Sequence, residues 1–346
     1  MAMLAVRAGA ESVFVAHKPA QTVLGETQFG AYANGGGWLF ARTESLGPNW
    51  GRIGRFVITI AEVRPPIRDL IRPSEYTTTT DPQTRFTTST STSTMSIQPC
   101  CVKGFEWDGT PEGKAIPFPT ASNQAYVTGS NTEAAVMLIT DVFGWDFINN
   151  RLLADHFARE ANVTVYMPDF FDGESISKDT LKKDFTEWAK DGLDIMAFVG
   201  RHSREIREPE IFDCARKLRA EYKKVGAIGY CYGGWAVCRL GAKGNNLVDC
   251  VSMGHPSMLI KEDLDGVTVP IQILAPEIDA AYTAELKEHT FKVLQKNQVV
   301  FDYVHFPGVE HSCFTRGDAE KAGELEAMVR GKQAAVDWFE TWLHHA

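Results

Sequence analysis

Short apolar runs alternate with amphipathic stretches over the last three quarters of the chain. The runs at 134–140, 163–167 and 225–228 combine high hydrophobicity with β-branched residues, which is typical of buried strands. The stretches between them repeat their apolar positions at helical spacing, which predicts helices. This alternation predicts an α/β fold with a mostly parallel central sheet and helices on both faces.

The same pattern gives the individual elements. Further strands are expected at 124–127, 249–253, 270–275 and 300–306. Helices are expected at 149–160, 180–198, 209–222, 235–242, 283–294 and 319–346. In such a sheet the functional side chains lie on loops beyond the carboxyl ends of the strands.

Residues 1–94 have a different character. They contain no cysteine and carry a net charge of +2, whereas the rest of the chain carries −11. They end in a Thr/Ser tract at 87–94, a low-complexity run that cannot bury a core. We expect a poorly ordered extension over 1–94 and an α/β domain over 95–346, with Met95 as the functional start. The extension is either a flexible leader or a translated upstream region.

The stretch 225–235 has the pattern of a nucleophile elbow. An apolar strand leads into Gly229-x-Cys231-x-Gly233-Gly234, and a helical pattern follows. Glycines flank the nucleophile because the tight strand-to-helix turn leaves no room for side chains there. The helix directs its N-terminal N–H groups at the sulfur, which favours the thiolate. The alternative is an ordinary buried cysteine in a glycine-containing turn.

Two later loops supply candidates for an acid and a base. Asp279 follows the strand expected at 270–275, and His311 lies in a Pro/Gly loop after the last strand. The order Cys231, Asp279, His311 is the nucleophile–acid–base order of α/β-hydrolases, in which the acid orients the histidine. Taken singly, a loop aspartate is usually a helix cap and a loop histidine is usually solvated.

Other loops at the same edge complete the candidate site. In this fold the loop after the first central strand supplies one oxyanion-hole N–H, and the residue after the nucleophile, here Tyr232, supplies the other. Trp145 and Trp235 are candidates for lining a substrate pocket, although buried aromatic residues are more often core. His255 follows another strand, and we expect it to pack rather than to catalyse.

Composition excludes several classes of function. The chain has 346 residues and a net charge of −9, which argues against nucleic acid or an anionic membrane as the main partner. No apolar run reaches the length of a membrane span. Seven scattered cysteines without paired metal-ligand spacing predict reduced thiols in a cytoplasmic protein, with no metal and no cofactor. We expect a monomer or a small homo-oligomer.

From about residue 95 the chain resembles the dienelactone hydrolase family, especially its fungal members. The matching segments are 141–144 with Arg151, 167–171, 229–234, 275–279 and 308–312. The resemblance implies Cys231 as nucleophile, His311 as base and Asp279 as orienting acid. It also implies that the backbone N–H groups of Val142 and Tyr232 form the oxyanion hole.

The resemblance adds two candidate site residues, Asp141 and Arg316. At both places the chain departs from the bacterial members of the family. The resemblance implies that Asp141 contacts the resting cysteine and takes part in its activation, although bacterial members carry glutamate there. Bacterial members place a substrate-binding arginine four residues after the histidine. This chain has Thr315 at that position and Arg316 one residue further on, so Arg316 is the candidate for substrate binding.

Together these features predict a cofactor-independent hydrolase of a small ester or lactone that works through an acyl-enzyme. The alternative is a non-catalytic ligand-binding or scaffolding homologue, which the presence of Cys231, Asp279 and His311 disfavours. A thiol redox protein is disfavoured because no second cysteine lies beside the elbow in sequence.

Removing residues 1–94 is expected to leave fold and activity intact, because the α/β pattern begins after Met95. Thermal unfolding and ester turnover of the shortened chain, compared with the full chain, check this. A large loss of either property would make the extension part of the folded enzyme.

Overall fold

The computed structural model describes four strands near the N-terminus and most of the chain from residue 104 onward. The described residues are 4–8, 11–15, 26–33, 37–44, 104–119, 123–182, 187, 190 and 193–345. The chain divides into two units, Met1–Ser89 and Thr90–Ala346. Cys100 and Cys101 lie outside the described residues.

The first unit contains two separate two-stranded antiparallel sheets. Strand β1 (Leu4–Ala8) pairs with β2 (Glu11–Val15), and β3 (Glu26–Ala33) pairs with β4 (Gly37–Glu44). The disorder expected for 1–94 stays a prediction, and the other positions of that stretch lie outside the described residues.

The second unit is built on one eight-stranded sheet. Its strands are β5 (Lys114–Pro117), β6 (Gln124–Thr128), β7 (Ala134–Ile139), β8 (Thr164–Pro168), β9 (Lys224–Tyr230), β10 (Cys250–Gly254), β11 (Ile271–Ile278) and β12 (Phe301–Glu310). Their spatial order is β12-β11-β10-β9-β7-β8-β6-β5. Only β5 and β6 pair antiparallel with their neighbours, so the mostly parallel sheet is confirmed.

The helices are α1 (Ile148–Glu160), α2 (Ile195–Arg201), α3 (Arg204–Glu221), α4 (Gly233–Leu240), α5 (Lys261–Gly266), α6 (Ala284–Lys296) and α7 (Glu324–Glu340). A 3₁₀ turn covers Lys178–Lys182, and a π-helical turn covers Thr341–His345. No helix in these described parts is long and apolar enough to cross a membrane.

The central strand β7 shows that both faces of the sheet are covered. All six of its residues are buried. Ala135, Met137 and Ile139 belong to one apolar core, and the alternating residues Ala134, Val136 and Leu138 belong to another. Because successive strand residues point to opposite faces, the two cores lie on opposite sides of the sheet.

The predicted helix over 180–198 is wrong as a single element. A 3₁₀ turn ends at Lys182, and residues 193 and 194 are not helical. Helix α2 begins only after Asp194, whose carboxylate accepts a hydrogen bond from the N–H of Ala197 at 2.9 Å. Aspartate competes for backbone N–H groups in this way, so it starts helices rather than continuing them.

Two helix boundaries differ from the sequence expectation, and two short elements were not expected. Helix α3 begins at Arg204, so Pro209 lies inside it rather than at its start. Helix α7 begins at Glu324 rather than at 319, because Gly323 takes a left-handed conformation (φ 88°). The edge strand β5 and the short helix α5 have no clear apolar period and were not predicted.

The elbow between β9 and α4 has the expected geometry. Cys231 has φ +48°, a conformation that residues with a side chain rarely adopt. A Cβ atom on Gly229 would lie 2.1 Å from the carbonyl oxygen of Gly233, and one on Gly234 would lie 2.3 Å from Pro256 Cβ. The backbone therefore leaves no space for side chains beside the cysteine.

Gly229→Ala is expected to lower the free energy of unfolding by at least about 1–3 kcal/mol, the usual cost of overpacking. Gly200→Ala is the matched control, because nothing lies within 4 Å of the added atom and the residue is helical. Alanine there is expected to stabilise by about 0.5–1 kcal/mol. Urea unfolding followed by circular dichroism measures both. Equal effects of the two substitutions would contradict the crowding at the elbow.

Candidate active site

Five neighbouring strands deliver polar side chains to one edge of the sheet. Asp141 follows β7, Cys231 follows β9, His255 follows β10, Asp279 follows β11 and His311 follows β12. These strands lie side by side and run parallel, so their carboxyl ends meet.

Asp279 and His311 form a buried hydrogen-bonded ion pair. His311 Nδ1 lies 2.9 Å from Asp279 Oδ1, and neither side chain is exposed to solvent. The same carboxylate oxygen accepts hydrogen bonds from the backbone N–H groups of Ala281 and Tyr282, both at 2.9 Å. These contacts fix the imidazole with Nε2 directed away from the acid.

The electrostatics of the pair favour a charged imidazole. Burial lowers the pKa of His311, but the Asp279 carboxylate and the Cys231 sulfur outweigh burial and hold that pKa well above its usual value. Burial raises the pKa of the Asp279 carboxyl, but the charge of His311 outweighs it and lowers that pKa. Each partner therefore stabilises the ionised form of the other.

Ser257 lies between the predicted nucleophile and the predicted base. Its Oγ is 3.3 Å from Cys231 Sγ and 3.4 Å from His311 Nε2. Its backbone N–H donates to the carbonyl of Cys231 at 2.7 Å. Sequence reasoning did not single out Ser257. Its position just after β10, the strand next to β9, is the signal that points to it.

His255 is the second histidine of the site. It is fully buried, and neither ring nitrogen has a hydrogen-bond partner among the described residues. Its ring stacks on Phe314 at 5.4 Å between centroids and lies 4.8 Å from the ring of His311. Burial lowers the pKa of His255, and the nearby Cys231 sulfur only opposes this effect. The lowered pKa favours the neutral form of the ring.

Val142 and Tyr232 stand where the oxyanion-hole donors were predicted. Both are fully buried, one in the loop after β7 and the other directly after Cys231. Their backbone N–H groups donate no hydrogen bond to another described residue. The side chain of Tyr232 is anchored separately, because its hydroxyl donates to the carbonyl of His202 at 2.7 Å.

Asp141 is held by three donors. Its carboxylate pairs with the guanidinium of Arg316, and both side chains are fully buried. Asp141 Oδ1 also accepts from the N–H of Phe143 at 3.0 Å and from Asn150 Nδ2 at 3.2 Å. The guanidinium lies over the Phe143 ring at 4.6 Å. The predicted action of Asp141 on Cys231 and the predicted substrate contact of Arg316 stay predictions.

The two tryptophans occupy different surroundings. Trp145 is half-buried, with the guanidinium of Arg151 5.1 Å from its ring. Trp235 is fully buried, with Arg204 4.8 Å above its ring. Their role in lining a pocket stays a prediction, and Trp235 has the surroundings of a core residue.

The catalytic candidates are enclosed in this conformation, because Cys231 and the side chains of Asp279 and His311 have no exposed surface. A cavity of about 290 Å³ lies beside the loop after β7 and is lined by Phe143, Phe147 and Ile176 among others. A larger groove of about 700 Å³ lies on α7, between Leu325 and Asp337, and none of its lining residues belongs to the site. The smaller cavity touches the candidate site through Phe143, whose N–H donates to Asp141.

The sheet, the elbow and the acid–histidine pair define an α/β-hydrolase. The model of the dienelactone hydrolase family matches residues 124–343, which is more than half of the chain. The chain therefore belongs to the dienelactone hydrolase family.

Several individual proteins are similar to this chain. Hydrolase tropI of Talaromyces stipitatus is 31% identical over 258 residues, covering 72% of this chain and 98% of that protein. The carboxymethylenebutenolidase homologue of Homo sapiens is 31% identical over 233 residues, covering 64% and 88%. A solved dienelactone hydrolase from Anabaena variabilis aligns with a TM-score of 0.49 at 16% identity, over 68% of this chain and 99% of that one.

Arg316→Met is expected to lower the free energy of unfolding by about 3–5 kcal/mol, because it leaves the buried Asp141 carboxylate without its cation. Urea unfolding measures the loss. The double substitution Asp141→Leu with Arg316→Met is expected to recover much of it, since no charge then remains buried. Arg216→Met, which removes an exposed ion pair with Asp213, is the control and is expected to cost much less. A single variant as stable as the parent would contradict the buried pair.

Proposed function

We propose that this chain is a cofactor-independent hydrolase of small esters or lactones, with Cys231 as nucleophile, His311 as base and Asp279 as orienting acid. The observation that carries the proposal is the Asp279–His311 pair, which is joined at 2.9 Å and has a ring nitrogen of His311 within 4.8 Å of Cys231 Sγ. Membership of the dienelactone hydrolase family and similarity to carboxymethylenebutenolidase homologues support hydrolysis of an ester or lactone bond.

The first half of the reaction forms an acyl-enzyme. The thiolate of Cys231 attacks the carbonyl carbon, and the carbonyl oxygen takes up the negative charge. The backbone N–H groups of Val142 and Tyr232 stabilise that charge. The carbon–oxygen bond of the ester then breaks, and the leaving alkoxide receives a proton from the imidazolium of His311.

The second half releases the acid. Neutral His311 removes a proton from water, and the resulting hydroxide attacks the thioester carbon. The carbon–sulfur bond breaks, so the acid product leaves and the thiolate–imidazolium pair returns. A lactone substrate gives one hydroxy acid, because its leaving group stays attached to the acyl part.

Two features of the site favour the thiolate in the resting enzyme. The N-terminus of α4 lies directly after Cys231, and its positive dipole end stabilises an anion there. The second feature is the Asp279 carboxylate, which opposes the effect of burial, raises the pKa of His311 and so favours a cation beside the sulfur. Ser257 Oγ contacts both Cys231 Sγ and His311 Nε2, so the hydroxyl is placed to pass a proton between them.

Cys231→Ala is expected to abolish hydrolysis of lactones and aryl esters without unfolding the protein, because the thioester can no longer form. Mass spectrometry of the parent, quenched during turnover, is expected to find the acyl group on Cys231.

Iodoacetamide is expected to label Cys231 before the other described cysteines. Cys238→Ala, which changes another buried cysteine nearby, is the control and is expected to stay active. Full activity in Cys231→Ala would overturn the mechanism.

His311→Ala is expected to lower turnover by at least ~10²-fold, the usual scale for a general base. His255→Ala, in the adjacent buried histidine, is expected to lower it much less, because only His311 is hydrogen-bonded to Asp279. Steady-state kinetics on one activated ester compare the two variants. Equal losses would remove the assignment of His311.

A further inference from the structure

Three potential metal ligands converge at the carboxyl edge of the sheet. One donor atom from each of Cys231, His255 and His311 lies within 4.8 Å of the other two, and all three residues are buried. They come from the loops after β9, β10 and β12, so three separate segments of the chain supply them.

His255 has no role in the hydrolytic mechanism, and its buried imidazole lies beside the Cys231 sulfur. Neither ring nitrogen forms a hydrogen bond to a nitrogen or oxygen atom of the described residues, and Cys231 Sγ is the polar atom that acts on the ring. Burying a polar group without a partner is costly, so such a group points to a ligand. The backbone of His255 is also left-handed, at φ +36°, which is an unfavourable conformation for an ordinary packing residue.

His311 is oriented as a metal-binding histidine is oriented. Its Nδ1 is held by the Asp279 carboxylate at 2.9 Å, which leaves Nε2 facing the cluster. A carboxylate behind a ligating histidine fixes the ring and raises its basicity, and this arrangement is usual around zinc.

The donors and their spacing suit Zn²⁺. One thiolate and two imidazoles are soft and borderline ligands, which favour zinc over magnesium or calcium. Tetrahedral zinc separates neighbouring ligand atoms by about 3.5 Å. Ser257 Oγ already lies 3.3 Å from Cys231 Sγ and 3.4 Å from His311 Nε2. Donors as far apart as 4.8 Å must approach one another by about 1.3 Å to reach this spacing.

We propose that Zn²⁺ binds to Cys231, His255 and His311, with a water or the Ser257 hydroxyl at the fourth position, and that it inhibits the enzyme reversibly. The ion forms bonds to Sγ, to Nε2 of His311 and to a ring nitrogen of His255, and one proton leaves the cysteine–histidine pair. Inhibition rests on the proposed function, because the ion occupies the nucleophile and the base; binding of the ion does not rest on it.

The first experiment measures binding without activity. Metal-free full-length protein is treated with iodoacetamide with and without Zn²⁺, and peptide mapping follows Cys231. We expect Zn²⁺ to slow labelling of Cys231 at least ~10-fold and Mg²⁺ to have no effect. Co²⁺ in place of Zn²⁺ is expected to give the visible absorption of a tetrahedral thiolate site. Unchanged labelling in Zn²⁺, or equal protection by Mg²⁺, would overturn the proposal.

The second experiment tests whether His255, which the hydrolytic mechanism does not use, is a zinc ligand. His255→Asn removes the imidazole and keeps a residue that tolerates a left-handed backbone. For each variant we measure the zinc concentration that halves its own zinc-free rate of ester hydrolysis. In His255→Asn this concentration is expected to rise at least ~100-fold, because losing even a residue that only supports a metal ligand lowers metal affinity 10–100-fold. His305→Asn, in an exposed histidine, is the control and is expected to respond like the parent.

The outcomes separate the two proposals. An unchanged zinc response in His255→Asn would overturn the site, and if that variant does not fold, the labelling of the parent decides. Zinc protection of Cys231 in a protein that hydrolyses no ester would support the zinc site and contradict the proposed function. Hydrolysis through Cys231 that zinc does not affect would contradict the zinc site alone.

Discussion

The left-handed backbone of Cys231 is the constraint on which the rest of the site depends. Such a conformation costs about 1–2 kcal/mol for a residue with a side chain, and it persists only when its surroundings hold it. Here the N–H of Cys231 donates to Gly254 at 3.1 Å, and its carbonyl accepts from Gly234 and Ser257 at 3.0 and 2.7 Å. The turn lifts the sulfur out of the sheet edge, and those same contacts bring Ser257 beside it.

Two buried ion pairs then stabilise the edge of the sheet around the sulfur. Asp279 with His311 and Asp141 with Arg316 both have fully buried side chains. A buried charge is tolerated only when it is paired and hydrogen-bonded, and both carboxylates also accept backbone N–H bonds. These ion pairs add to the apolar packing of the same loops, in which Val142, Tyr282 and Phe314 are buried in the cores.

The local parts of this arrangement could be predicted from the sequence. Gly229, Cys231 and Gly233 fall within five residues, so their pattern is visible in the chain itself. Asp279 and His311 follow predicted strands, and their order suggests their pairing. The partner of Asp141 could not be predicted, because Arg316 is 175 residues away in sequence. Ser257 was missed for the same reason, since only the pairing of β10 with β9 brings it to the cysteine.

The two buried histidines show how one carboxylate distinguishes two similar side chains. Their rings lie 4.8 Å apart, and each lies near the sulfur. Burial lowers the pKa of both, but only His311 faces Asp279, so its pKa ends well above the usual value while that of His255 stays lowered. A charged His311 in turn disfavours a second charge on His255. One imidazole therefore favours the charged form and the other the neutral form, although both lie near the same sulfur atom.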